Sequence, residues 1–273
     1  LRRISLPNIR IPARPTLAVL AALFFLLCIG STALLFMNKE PAPAPDPELD
    51  MPFDYTYGTA LASNGMTIHY LKTRPSNLSL EAVHQNVTLS PFYGVNGGFF
   101  YHEDLLSMAV VNDRPANGEA GGYGSGWENA KYARGTLVWD GSADRLSVQV
   151  VRQASELDVT DRANYWAQGG ISMSLGRDVS WEEQAAAENA PYPYDRRLRS
   201  AAVYDREGNV YLVVSSSMGM LADFRAAIVE TIAPGSLADG IFLDGDGSSQ
   251  LRSREMKLRG DSRPVVQMIR IVR

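Results

Sequence analysis

Ala201-Ala202-Val203-Tyr204-Asp205-Arg206-Glu207-Gly208-Asn209-Val210-Tyr211-Leu212-Val213-Val214 sets two apolar runs, rich in β-branched and aromatic residues, around a polar connection. Such runs read as strands, and a five-residue connection with Gly208 placed for a positive φ closes them into an antiparallel hairpin. Runs of the same kind recur outward from it at 66–71, 78–83, 135–139, 146–150, 240–243 and 265–272. Two segments carry helical signals instead. One follows Ser180 as N-cap, with Glu183 placed for a capping box, and stops before Pro191. The other covers 218–232, with Leu221, Phe224, Ile228 and Ile232 on one stripe, Ser217 as N-cap and Pro234 as stop. The predicted class is therefore α+β: a mixed, largely antiparallel sheet with a few helices, preceded by one N-terminal transmembrane helix.

That helix is read from residues 17–37, an uncharged run of 21 residues that as a helix reaches about 31 Å, the thickness of a hydrocarbon core. Arg2, Arg3, Arg10 and Arg14 precede it, whereas only Lys39 and Glu40 follow closely, so the positive-inside rule makes 1–16 a cytoplasmic tail. The expected placement is a single-pass cell-membrane protein whose C-terminal domain is periplasmic or extracellular. Ser31-Thr32-Ala33 resembles a signal-peptide cleavage site, but Leu34, Leu35 and Phe36 continue the apolar run, which favours an uncleaved anchor. Cys28, the one cysteine, follows Leu27 where a lipid-attachment site needs a small residue, and it leaves the exported part without disulfides or cysteine-bound zinc. Residues 38–52, with Pro41, Pro43, Pro45 and Pro47, form an extended linker, and 53–273 form one domain. With five basic and one acidic side chain up to residue 40, the net charge of −4 leaves about −8 on the remainder, which excludes nucleic acid as a natural partner.

The chain has no His-Glu-x-x-His, Gly-x-Ser-x-Gly or Walker pattern and only His69, His84 and His102, so serine-triad and histidine-zinc chemistry are poorly served. Three segments place glycine beside polar side chains after strand-like runs. In Asn96-Gly97-Gly98-Phe99-Phe100 an amide could orient a sugar hydroxyl or phosphate oxygen, with the paired glycines permitting close backbone approach. Arg199-Ser200-Ala201-Ala202 puts a phosphate-binding cation at the start of a strand, with Arg196 and Arg197 read as solvated or ion-paired surface residues. Leu243-Asp244-Gly245-Asp246-Gly247-Ser248-Ser249-Gln250, the most specific signal, runs a strand into a carboxylate, a glycine turn and two hydroxyls. Asp244, Asp246, Ser248 and Glu255 also match calcium-loop spacing, but Ser249 stands where that loop needs glycine, and Arg252 and Arg254 would crowd a cation. No metal or cofactor is therefore expected. The glycine-rich stretch 117–126, ending at Trp127, is a mobile loop that reads either as a lid or as an ordinary connection. Asn77 and Asn86 match glycosylation sequons and are read as ordinary surface residues.

Together these three segments resemble the phosphodiester glycosidase domain family, and Gln168-Gly169-Gly170-Ile171-Ser172-Met173 is similar to the glycine-containing strand that precedes the family's arginine. The resemblance covers roughly residues 54–272, and together with the apolar run at 17–37 it implies a bacterial, membrane-anchored member as the expectation. It departs at Asp246, where the family usually carries glycine, so an extra carboxylate could disturb or replace an acid–base role. The implied activity is envelope-facing hydrolysis of a sugar-1-phosphodiester at the anomeric carbon, in a glycan, glycolipid or glycopolymer. Carried onto this chain, Asp244, Arg199 and Asn96 are the expected catalytic set. Gly97, Gly98, Gln168, Gly245, Gly247, Ser248 and Ser249 are expected to bind substrate, with Asp246 and His102 as accessory acids. The competing expectations are a non-catalytic module that binds anionic glycopolymer, and a structural scaffold, which predicts no pocket joining Asn96, Arg199 and Asp244.

Overall fold

The structure is a computed structural model and describes residues 51–176 and 180–273. The expected tail and anchor and most of the proline linker lie outside these residues. Among the described residues no helix is long and apolar enough to cross a membrane. Asp50–Arg273 forms one compact unit, and Met51, assigned by sequence to the linker, is buried in its core.

The hairpin that opened the sequence reading is present. Ser200–Asp205 pairs with Val210–Ser215, with Ala202 opposite Leu212 and Val203 opposite Tyr211. Its turn is held by the Asp205 carboxylate, which accepts the N–H groups of Glu207 and Asn209 at 3.0 and 2.9 Å, while Gly208 takes the expected positive φ of 79°. The hairpin lies inside a six-stranded antiparallel sheet in the order Thr56–Leu61, Thr67–Thr73, Val210–Ser215, Ser200–Asp205, Leu237–Phe242, Ile171–Ser172. Both faces of this sheet are covered. Ala201, Val203, Tyr211 and Val213 pack with Phe224, Ala227 and Ile228, whereas Ala202, Leu212 and Val214 pack with Leu137, Trp166, Val95 and Ile269. Burial on both sides is why these strands are continuously apolar rather than alternating.

The second layer holds two antiparallel five-stranded sheets. One runs Arg145–Val151, Arg134–Asp140, Tyr165–Gly169, Ala109–Val111, Arg114–Pro115; the other runs Lys257–Leu258, Leu251–Arg252, Gly94–Asn96, Val265–Ile271, Leu78–Gln85. All eight sequence-predicted strands exist. Helix α1 spans Trp181–Ala187, and the Ser180 hydroxyl caps it by accepting the Glu183 N–H at 3.5 Å. Helix α2 spans Leu221–Thr231 and starts later than its periodicity suggests. The Ser217 hydroxyl, expected as its cap, accepts the Thr67 N–H at 2.8 Å instead, and the Asp223 carboxylate takes the Met220 N–H at 2.9 Å. The stripe Leu221, Phe224, Ile228 and Ile232 is buried as its spacing predicts.

Two expectations are corrected. Asn77 and Asn86 are buried rather than surface residues. The Asn77 amide donates to the Asp54 carboxylate at 2.9 Å, and the Asn86 carbonyl oxygen accepts the Thr88 hydroxyl at 2.6 Å. The 117–126 stretch is an internally bonded connection: Asn117 donates to the carbonyls of Glu103 and Gly124 at 2.8 and 2.9 Å, and Trp127 packs beside Met108 and Val110. It lines no part of the cavity described next.

Candidate functional site

The three quoted segments meet where strand ends from two sheets converge. Backbone hydrogen bonds lace them together: Leu243 N–H donates to Ser200 O at 2.8 Å, Asp244 N–H to Gly97 O at 3.2 Å and Asp246 N–H to Leu198 O at 2.7 Å. Asn96 locks the junction. Its amide nitrogen donates to the carbonyls of Asp244 and Gly97 at 2.9 and 3.1 Å, and its oxygen accepts the Ser200 hydroxyl and the Gln250 N–H at 2.8 and 3.1 Å. An asparagine amide offers two donor hydrogens and two acceptor lone pairs, so all four are used within the protein. Asn96 positions the site rather than touching a ligand.

Beside this junction lies a cavity of about 320 Å³ that presents Asp244, Asp246 and four arginines, Arg134, Arg197, Arg199 and Arg263. Asp244 is half-buried, and burial pushes its carboxyl up to about 6; the Ser248 hydroxyl, the Gly245 N–H and the Arg263 charge act against that rise, and Asp246 adds to it. Arg199 is buried and held entirely by main-chain carbonyls: Nε donates to Gly219 at 3.2 Å, and Nη2 donates to Tyr192 and Asp195 at 2.9 and 2.7 Å. Burial, then the neighbouring Arg197 charge, lowers its pKa to about 10, which leaves it charged at neutral pH. Arg134 is likewise buried, donates to the Glu188 carbonyl at 3.1 Å and stands over the rings of Phe99 and Tyr132 at 5.2 and 5.5 Å. Among the described residues no carboxylate forms a direct ion pair with Arg134 or Arg199; Glu188 favours the charge of Arg134 from nearby, and Asp195, Asp246 and Asp223 favour that of Arg199. Arg197 and Arg263 differ, being ion-paired to Asp195 and Asp246 and to Asp261 respectively.

Of the residues expected from sequence, Arg199, Asp244, Gly245, Asp246 and Ser248 line the cavity. Gly97 and Gly98 do not; their missing side chains admit protein rather than substrate. A Cβ on Gly97 would meet the Gln267 carboxamide, and one on Gly98 would meet Ser107 and the Gly169 carbonyl. Gly247 is pressed in the same way by Asp261 and Arg263. Gln168 and Ser249 are buried and do not line the cavity, and Gln168 Oε1 and the Ser249 hydroxyl find no partner among the described residues. His102 sits exposed at a hairpin tip with its ring 4.2 Å from that of Tyr101, away from the cavity. The calcium-loop spacing does not produce a ligand cluster, because Asp246 pairs with Arg197 and Glu255 accepts the Tyr55 hydroxyl at 3.3 Å. No group of three or more potential metal-ligating His, Cys, Asp or Glu side chains occurs among the described residues.

Sequence reasoning missed Arg134 and Arg263 as cavity residues, and Glu188 behind them. The Glu188 carboxylate is buried and accepts the N–H groups of Gly135 and Ser172 at 2.9 and 2.7 Å, tying the two glycine-bearing strands to the end of α1. Arg134 carried the same signal as Arg199, an arginine immediately before an apolar strand, and could have been found by it.

No family model matches the chain, and no curated protein does. Solved structures do. The zebrafish N-acetylglucosamine-1-phosphodiester alpha-N-acetylglucosaminidase catalytic domain, auto-inhibited by its pro-peptide, superposes with a TM-score of 0.57 at 14% identity, over 82% of this chain and 85% of that one. A hypothetical protein from Synechocystis matches at 16% identity with a TM-score of 0.48, over 80% of this chain and 62% of that one. The first likeness shows a shared fold. The scaffold reading expects no pocket joining Asn96, Arg199 and Asp244; Arg199 and Asp244 line one cavity, and Asn96 donates to the Asp244 carbonyl.

Proposed function

We propose that the domain is a phosphodiester glycosidase that hydrolyses a sugar-1-phosphodiester of the cell envelope, tethered through residues 17–37. The observation that carries this reading is a carboxyl with a raised pKa, Asp244, lining one cavity with two buried arginines, Arg134 and Arg199, whose side chains donate to main-chain carbonyls. The fold shared with an enzyme whose name states the same chemistry supports it.

Breaking the bond between the anomeric carbon and the phosphate oxygen sends the electron pair to the phosphate and leaves positive charge on the sugar ring. Arg199 and Arg134 hold the phosphate and stabilise that departing charge. The phosphomonoester departs as a dianion held by these arginines and needs no proton, so Asp244 serves the sugar end. With a pKa of about 6 it is mostly ionised at neutral pH, stabilises the ring cation and accepts the proton of the water that adds to the anomeric carbon. The Ser248 hydroxyl and the N–H groups of the glycine turn orient phosphate or sugar oxygens.

The test offers the unit from Met51 onward a sugar-1-phosphodiester such as UDP-GlcNAc, and compares wild type with Asp244→Asn and Arg199→Ala. Release of free sugar by the wild type alone is expected. Full activity in both variants overturns the assignment, and retention of polymer without sugar release identifies the glycopolymer-binding module instead.

A further inference from the structure

The cavity contains one charge arrangement that the reaction just described does not use. Three of the five N–H donors of the Arg197 guanidinium go to carboxylates: Nε and Nη2 donate to Asp195 at 3.3 and 3.0 Å and Nη1 donates to Asp246 at 2.6 Å, while the guanidinium face lies 4.1 Å from the Tyr192 ring centre. One cation therefore faces two carboxylates, and the trio presents net negative charge at the cavity rim. Arg263 is neutralised by Asp261. Arg134 and Arg199, whose side chains donate to main-chain carbonyls rather than carboxylates, are the cavity arginines best placed to attract an anion.

Asp246 is fixed by the backbone. Its φ is 55°, a left-handed value that aspartate tolerates better than most L-residues, and its N–H is bonded to Leu198 O at 2.7 Å. The turn thus holds the carboxylate beside the cavity that Gly245 and Ser248 also line.

We propose that Asp246 is a specificity-determining residue: by holding Arg197 and adding its own charge, it makes the cavity favour a singly charged phosphodiester over the doubly charged phosphomonoester that cleavage releases. This rests on the function proposed above and deepens it, because the same charge that admits the substrate weakens retention of the product. Each negative charge about 6 Å from Asp246 is disfavoured by about threefold under water-like screening, so a dianion is disfavoured by about tenfold and a monoanion by about threefold.

The test is a ³¹P NMR titration of the full chain at pH 8, where methyl phosphate is dianionic and dimethyl phosphate monoanionic. Wild type is compared with Asp246→Asn and Asp246→Gly, both compatible with the left-handed turn. Both substitutions are expected to tighten methyl phosphate binding about tenfold and dimethyl phosphate binding about threefold or less. Equal changes for the two ligands, no change, or no binding by any of the three proteins overturns the proposal. Turnover of a sugar phosphodiester with unchanged ligand preference in the variants overturns this inference and leaves the proposed function standing. Selective tightening without any turnover does the reverse.

Discussion

The side-chain amide of Asn96 donates to the main-chain carbonyl of Asp244 at 2.9 Å, so the residue that begins one quoted segment sets the height of the carboxylate in another. Asn96→Ala removes that bond and strands the Ser200 hydroxyl and the Gln250 N–H in a buried site. A loss of about 3 kcal/mol in urea-unfolding free energy is expected. Asn96→Asp should cost at least as much, because it sets a carboxylate oxygen against the carbonyls that now accept from the amide.

The ionised form of Asp244 is held at a cost to stability. Burial holds its folded pKa near 6, above the unfolded value of about 3.9, so its contribution to stability is intact below about pH 4 and is lost as pH rises through 6. Asp244→Asn is therefore expected to stabilise the protein by about 1–3 kcal/mol at pH 7.5 and to change little at pH 3.5, while abolishing turnover. Thermal melts at the two pH values read the difference.

Arg199 also anchors the wall of its own cavity, since it donates to the carbonyls of Tyr192 and Asp195. A lysine keeps the charge but not the planar fork, so Arg199→Lys should fall about 100-fold in kcat/KM, close to Arg199→Ala. Arg134→Lys should lose about tenfold, as it keeps charge and forfeits its place over Phe99 and Tyr132.

Gly97→Ala drives a Cβ into the buried Gln267 carboxamide, which already donates to the Met268 carbonyl at 2.7 Å. Destabilisation of about 2–3 kcal/mol is expected. Gly65→Ala has open space around its Cβ and only the strain of a φ of 82°, so it should cost about 1 kcal/mol. Chemical unfolding of the two variants side by side separates packing from backbone strain.

The doubly buried hairpin was legible because burial on both faces writes an uninterrupted apolar run of useful length. Gly94–Asn96 was not, since a three-residue strand carries no period, and Ile171–Ser172 was legible only through the family resemblance. Asp244 and Arg199 were legible as charged residues abutting apolar strands. The role of Asn96 was not, because whether an amide is free or spent depends on partners far off in sequence. Gly97, Gly98 and Gly247 showed a need for close approach, but the sequence does not say that protein rather than ligand does the approaching. Asp246 stood out as a departure, and only its Arg197 partner gives the departure a meaning.

The bonds that lock the junction reach from Asn96 to Ser200 and Gln250, 104 and 154 positions along the chain. Contacts of such separation form late, after the loops between them have closed. A chain leaving the ribosome cannot assemble the carboxylate and its arginines until Arg263 has emerged, so no shorter nascent fragment carries the whole cavity.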